Sequence, residues 1–217
     1  MTPVIKLYEV PPSPNNMKVR IALGYKEIPY ERIPIQSQPG VPAAKQDRSL
    51  LTKISRQPLT PVIVHGDVVM FDSSAILRYL EANFPESRPL FSTDYVFMKR
   101  IEEWEFFGRR ELGEPIRMIF KEANAAQKDA AMLARARELF AERTERIETQ
   151  LREGDWLCGA NMSAADVVAA TIVHFGVLTE EAGHRNPISR FFRENLTLGE
   201  DREKTREWAR RVLSYDR

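Results

Sequence analysis

Every strand-like signal in this 217-residue chain lies in its first third. Val4–Tyr8 is a short apolar run, and Tyr30–Ile35 alternates apolar and polar residues. Val62–Val64 and Val68–Phe71 flank His65-Gly66-Asp67, the composition of a tight hairpin turn. Helical patterns fall between these runs. Pro14–Tyr25 carries Met17 and Ile21 on one face and reads as an amphipathic helix. Lys45–Ser55 carries Leu50, Leu51 and Ile54. A third helix begins at Asp72-Ser73-Ser74 and runs to about Phe84. From Asp94 onward no strand pattern appears. The sequence therefore predicts a small α/β layer followed by helices alone.

The order of the first part is βαβ, then a helix, then ββα. The first half demands a parallel pair with a right-handed crossover, and the second is antiparallel. That is a thioredoxin-like layout. Pro85-Glu86-Ser87-Arg88-Pro89 reads as a linker, with domains expected at 1–84 and 92–217. The second domain is expected to hold a long helix from Asp94 to about Lys121, kinked at Gly113 and Pro115, and another over Asp129–Glu153. Ser163-Ala164-Ala165-Asp166 is a capping box with Asp in place of Glu, and Met162 and Val167 have the spacing of a hydrophobic staple. The helix they open has little polar surface and is expected at the centre of the bundle. Helices over Pro187–Asn195 and Arg202–Leu213 complete the reading.

Composition excludes several classes of function. The 32 basic and 31 acidic residues leave a formal net charge of +1, which gives no electrostatic footprint for nucleic acid. No run approaches the ~18 apolar residues of a membrane span, and the N-terminus lacks a signal-peptide pattern. A soluble, cytoplasmic protein is expected. The single cysteine, Cys158, precludes an intrachain disulfide and any cysteine-based metal cage, and reads as a small buried hydrophobe. His65, His174 and His184 have no ligand spacing, so no metal site is expected.

Three segments carry a resemblance. Ser13-Pro14-Asn15-Asn16-Met17-Lys18 puts a serine at a helix start, five residues before a basic residue. Lys53–Ile63 contains Thr60-Pro61 ahead of a strand, and Phe71-Asp72-Ser73 leads into a helix. Ser163–Asp166 is the capping box. In this order and spacing they resemble the soluble glutathione S-transferase superfamily, of the serine type or the bacterial Ser/Thr-Pro-Asn type, over essentially the whole chain. The resemblance implies a thioredoxin-like glutathione-binding domain, an all-helical second domain, a homodimer, and an enzyme of detoxification. Glutathione would be the co-substrate and a small apolar electrophile the acceptor. A glutathione-dependent disulfide reductase or peroxidase, and a non-catalytic binding module, are the alternatives.

The resemblance assigns roles by position. Ser13, with Asn15 assisting, would hold the thiol as thiolate, since a hydroxyl and a helix N-terminus both favour the anion. On the residues alone Ser13 reads as an N-cap, and Tyr8 is a rival thiol donor that reads as the end of a buried strand. The Thr60–Pro61 bond would be cis, presenting Thr60 N–H and C=O to the cysteinyl backbone, whereas the residues alone read as an ordinary trans proline at a strand start. Asp72 would take the γ-glutamyl ammonium and Ser73 its carboxylate, at a helix start that either residue also caps. Gln57, Arg56 or Lys45 would hold the glycyl carboxylate. Trp104, Phe106, Phe107, Arg109, Arg110, Glu111 and Phe120 fall where the family's acceptor pocket lies, and each reads equally well as bundle core or dimer contact.

Overall fold

The computed structural model describes residues 3–10, 13–36, 46–184 and 187–217. The chain forms two compact units. One runs from the N-terminal part through Leu90 and includes Tyr215–Arg217; the other is Phe91–Ser214.

The first unit is thioredoxin-like, as the strand order predicts. Strands β1 (Ile5–Glu9), β2 (Tyr30–Pro34), β3 (Val62–His65) and β4 (Val68–Phe71) form one sheet in the order β2-β1-β3-β4. β1 and β2 are parallel, and the other two pairings are antiparallel. His65 pairs with Val68, so Gly66 and Asp67 alone make the hairpin turn, and Gly66 supplies its positive φ of 61°. Helices α1 (Pro14–Tyr25), α2 (Ser49–Ser55) and α3 (Ser73–Asn83) complete the unit. The expected start of α2 at Lys45 lies outside the described residues.

Helix α1 is not amphipathic. Asn16 through Leu23 are buried without a break, and the run includes Asn16, Lys18 and Arg20. A helix can bury such residues only if each polar group finds a partner. Arg20 finds two acids. β1 turns Ile5, Leu7 and Glu9 inward in alternation, so its third inward place holds a carboxylate with 0% exposure. Arg20 Nη1 pairs with Glu9 Oε2, and Arg32 on β2 reaches Glu9 Oε1 at 2.6 Å. The other side of the Arg20 guanidinium grips Asp216, with Nε and Nη2 at 2.5 and 2.9 Å from its two oxygens. Burial works against the charge on Arg20, but Asp216 and Glu9 outweigh it and hold the guanidinium above its ordinary pKa.

Asp216 belongs to a tail that packs on α1. The Tyr215 ring meets Tyr25 edge-on with centroids 5.2 Å apart, and Tyr30 donates its hydroxyl to the Arg217 carbonyl. A Cβ at Gly24 would overlap the Tyr215 carbonyl, so glycine is required there.

The second unit is all helix among the described residues: α4 (Tyr95–Phe107), a π-helical turn (Gly108–Leu112), α5 (Gly113–Asn124), α6 (Ala130–Leu151), α7 (Ala164–Val173), α8 (Glu180–His184), α9 (Pro187–Asn195) and α10 (Glu203–Leu213). The long helix after Asp94 is interrupted at Gly108–Leu112, ahead of the expected kink at Gly113 and Pro115. Pro115 sits in the first turn of α5, directly after the π-helical turn, and the Arg110 and Glu111 carbonyls ahead of it accept from Arg117 and Arg143 side chains. At Gly108 a side chain would come within 2.9 Å of Val168, so close approach to α7 requires the glycine. Helix α8, five residues long, was too short to leave a periodic signal. No described helix is long and apolar enough to cross a membrane.

Every residue of α7 is buried, as its composition predicts. The Asp166 carboxylate inside it accepts four hydrogen bonds. Leu157 N–H and Trp208 Nε1–H donate to Oδ1, each at 2.9 Å, while Ser163 N–H and Oγ–H donate to Oδ2 at 2.8 and 2.9 Å. Burial pushes this carboxyl up, and the four donors pull against it. Asp166 thus joins the start of α7 to the loop before it and to α10. Glu148 on α6 caps α10 from outside, accepting from Thr205 N–H at 2.8 Å and Thr205 Oγ1–H at 2.7 Å.

Two stability tests follow from these buried acids. Asp166→Ala strands several buried donors and should cost on the order of 3 kcal/mol. Denaturant titration showing a loss under ~1 kcal/mol would reduce Asp166 to an ordinary cap. Arg20→Met leaves Glu9 with Arg32 as its remaining counter-charge and should destabilise the protein by ~3–5 kcal/mol. A loss near zero would mean that Arg32 alone neutralises Glu9.

Candidate active site

Three chain junctions meet at one end of the sheet. Tyr8 on β1 pairs with Val62 on β3, which pairs with Phe71 on β4. The end of β1, the start of β3 and the end of β4 therefore share an edge. The segments leaving them carry Ser13, Thr60-Pro61 and Asp72-Ser73. The topology brings together the polar residues singled out in the sequence.

Ser13 holds the N-cap position of α1, with extended backbone (φ −145°, ψ 127°) and Pro14 next as the first helical residue. Its carbonyl accepts from Met17 N–H at 3.0 Å, as an N-cap should. Its side chain does not cap: no hydrogen bond runs from the first-turn N–H groups to Oγ. The hydroxyl is half-buried and uncommitted among the described residues. Asn15 is exposed, and its Oδ1 accepts from the buried Lys18 ammonium at 3.0 Å. That bond fixes the orientation of the amide and leaves its NH2 as a donor to solvent or ligand. Tyr8 packs beside a small apolar cluster of Ile35, Leu51 and Val62, consistent with a strand residue.

The Thr60–Pro61 bond is cis. Thr60 N–H and C=O make no hydrogen bond among the described residues, which leaves a donor and an acceptor at the strand entrance. Asp72 has a positive φ of 69°, a costly conformation for a residue with a Cβ. Its Oδ1 caps α3, accepting from Ser74 N–H at 2.9 Å and Ala75 N–H at 3.1 Å, while Oδ2 takes no part in the cap. Ser73 is buried at the first helical position. An anion there meets a helix N-terminus.

The three residues expected at the glycyl end fall differently. Lys45 lies outside the described residues. Arg56 ends α2 in the left-handed conformation, at φ 60°. Gln57 braces its own loop: its amide donates to Ser55 Oγ at 3.0 Å and Leu59 O at 2.9 Å, and its oxygen accepts from Leu59 N–H at 2.7 Å. Both of its amide protons are already engaged.

In the second unit, Trp104 and Phe107 are buried core residues, stacked edge-on at 5.3 Å with the Arg146 guanidinium over both rings. Phe106 and Phe120 are exposed. Phe106, Phe107, Glu111 and Arg146 help to line an open groove of about 390 Å3. Cys158 is buried, and burial together with the nearby Asp166 carboxylate pushes its thiol up to about 12, so it is no nucleophile. No group of metal-binding side chains occurs among the described residues.

Asn16 belongs to the site region although no motif singles it out. It is fully buried, and its amide donates to Val10 O at 2.8 Å and to Thr60 Oγ1 at 3.3 Å. The signal was available: asparagine is a poor helix former, and two in succession at Asn15-Asn16 call for a tertiary reason.

Residues 7–88 match the family model of the glutathione S-transferase N-terminal domain, and residues 103–182 match that of the glutathione S-transferase C-terminal domain. Glutathione S-transferase Z2 of Arabidopsis thaliana is 41% identical over 91 residues, a match covering 42% of this chain and 39% of that protein. This chain thus spans about two-fifths of the length of that relative. FtsZ-localized protein A of Caulobacter vibrioides is 27% identical over 185 residues, covering 79% of this chain and 76% of that one. The crystal structure of the glutathione transferase URE2P8 from Phanerochaete chrysosporium with oxidized glutathione shares the fold, with TM-score 0.75 and 18% identity over 98% of this chain and 90% of that one.

Proposed function

We infer that this chain, which belongs to the glutathione S-transferase family, is a transferase that adds the thiolate of glutathione to a small electrophile. The observation that carries the reading is the Ser13 hydroxyl, placed at the N-terminus of α1 yet capping nothing. A thiolate set there accepts a hydrogen bond from Oγ and gains from the positive end of the helix dipole. The free thiol has a pKa of ~8.5, and such surroundings lower it. Each unit of lowering corresponds to ~1.4 kcal/mol in favour of the reactive anion. The Asn15 amide is a second donor on the same side.

The rest of the tripeptide is read from the neighbouring junctions. Thr60 N–H and C=O pair with the cysteinyl backbone as an added strand would, with Pro61 shaping the turn. The free oxygen of Asp72 receives the γ-glutamyl ammonium, and Ser73 at the start of α3 receives the carboxylate. Gln57 enters by holding the loop between α2 and Thr60. The acceptor follows from the exposed aromatics of the second unit, Phe106 and Phe120, which favour an apolar electrophile. The cytoplasm, where glutathione is held reduced, is the compartment this chemistry requires.

Ser13→Ala should keep glutathione bound, because the γ-glutamyl and cysteinyl contacts lie elsewhere. Turnover with a reactive electrophile should fall by a factor on the order of 10 to 1000. The absorbance of bound thiolate should appear at higher pH than in the parent. Full activity with an unmoved thiol titration would remove Ser13 from the chemistry, and Tyr8→Phe and Asn15→Ala would then identify the donor.

The same reading includes a homodimer. Both units expose large apolar side chains, Leu59 and Phe71 in the first and Tyr95 and Val96 in the second, and a two-fold partner would cover them. Light scattering should give about twice the chain mass of 25.0 kDa. A particle of the single-chain mass at micromolar concentration would count against the dimer.

A further inference from the structure

We propose that Asn16 is a positioning residue, whose carboxamide ties the segment carrying Ser13 to the segment carrying Thr60 and so fixes the thiol activator relative to the backbone that grips the same ligand. The inference rests on the glutathione reading above.

The geometry comes from where the sheet stops. β1 and β3 pair through Lys6↔Val64, Leu7↔Ile63 and Tyr8↔Val62. Continued past Tyr8, the same register would set Val10 opposite Thr60. The backbone ladder does not continue, and Pro61, next in line, has no N–H to give. Asn16 bridges this place with its side chain. One amide proton goes to Val10 O at 2.8 Å and the other to Thr60 Oγ1 at 3.3 Å. Because carbonyls only accept, the bond to Val10 fixes which end of the amide is nitrogen. Asn16 thus supplies a side-chain rung beyond the last backbone rung.

That rung joins the two parts of the site that must act on one residue of the ligand. Val10 lies three positions before Ser13. Thr60 offers an N–H and a C=O that no described residue pairs at the entrance to β3. If the two segments drift, a ligand gripped at Thr60 presents its sulfur at the wrong distance from Ser13, and displacements near 1 Å already cost rate heavily. Asn16 has 0% exposure, so it acts on the ligand only through these segments.

The experiment compares the parent with Asn16→Leu, which keeps approximate volume and removes both donors, and with Thr60→Val, which removes one acceptor and leaves the Val10 bond. Three quantities are read: the dissociation constant of glutathione, the pH at which the bound thiolate absorbance appears, and amide hydrogen exchange around Val10 and Thr60 without ligand. Asn16→Leu should weaken glutathione about three- to tenfold. It should move the thiol titration to higher pH, lower kcat as well as raise KM, and speed exchange in both segments. Thr60→Val should move each quantity the same way by less, and the double variant should fall short of the product of the two effects. A folded Asn16→Leu with parent-like affinity and thiol titration, whatever its melting temperature, would make Asn16 a structural residue and overturn the proposal. If Asn16→Leu does not fold, Thr60→Val decides by the same criteria. A parent that fails to bind glutathione would refute the reading beneath. The tie itself would then stand or fall on hydrogen exchange, with parent-like rates in the variants overturning it.

Discussion

A carboxylate in a place meant for a side chain like leucine governs the first unit. β1 points Ile5, Leu7 and Glu9 into the interior, and Glu9 has no exposure to solvent. A buried charge of this kind is tolerable only with a counter-charge at hydrogen-bonding distance. Arg20 supplies it from the middle of α1 and Arg32 from β2. The pairing fixes how α1 lies along the strand, because a shift of one helical residue would carry the guanidinium away. The N-terminus of α1, and Ser13 with it, is set by an ion pair nearly two turns further along the helix. Position at the site derives from charge at the core.

The treatment of helix starts sharpens the meaning of Ser13. Asp72 caps α3, Asp94 caps α4 and Asp129 caps α6, each through its own carboxylate. Asp166 serves α7 from its third position, and Glu148 serves α10 from another helix. The chain meets the orphan N–H groups of these helices with acids. α1 has a residue of good capping chemistry in the capping position, and its hydroxyl is left out of the cap. Among the described helices whose N-cap residue is a serine or an aspartate, α1 is one whose N-cap side chain makes no capping bond, which is the feature on which the proposed thiolate site rests.

Local patterns carried most of the fold. The Gly66-Asp67 turn and the Ser163–Asp166 spacing each need only a few neighbouring residues to be read, and each is in place. The site junctions were legible for the same reason, since Ser13, Thr60-Pro61 and Asp72-Ser73 sit where one element ends and another begins. What escaped depends on distant partners. Nothing near Arg20 announces Asp216, 196 positions away. Gly108 leaves room for Val168 on α7, a neighbour sixty positions away, and Glu148 caps a helix more than fifty residues later. Met17 and Ile21 on one face of α1 suggest an amphipathic helix, yet Lys18 and Arg20 are also inside because each has a partner there. Asn16 escaped because its meaning lies in the register between β1 and β3, which a periodicity does not contain.

The tail on α1 bears on how the molecule can be taken apart. The first unit is assembled from two pieces of chain, one through Leu90 and one of three residues at Tyr215–Arg217. A segment cut at the linker would keep every strand of the sheet but lose Asp216, leaving the outer edge of Arg20 without its acid and the notch above Gly24 vacant. The first unit is therefore not a module that can be excised and transplanted by its contiguous sequence. A faithful excision would have to graft the closing three residues back onto it.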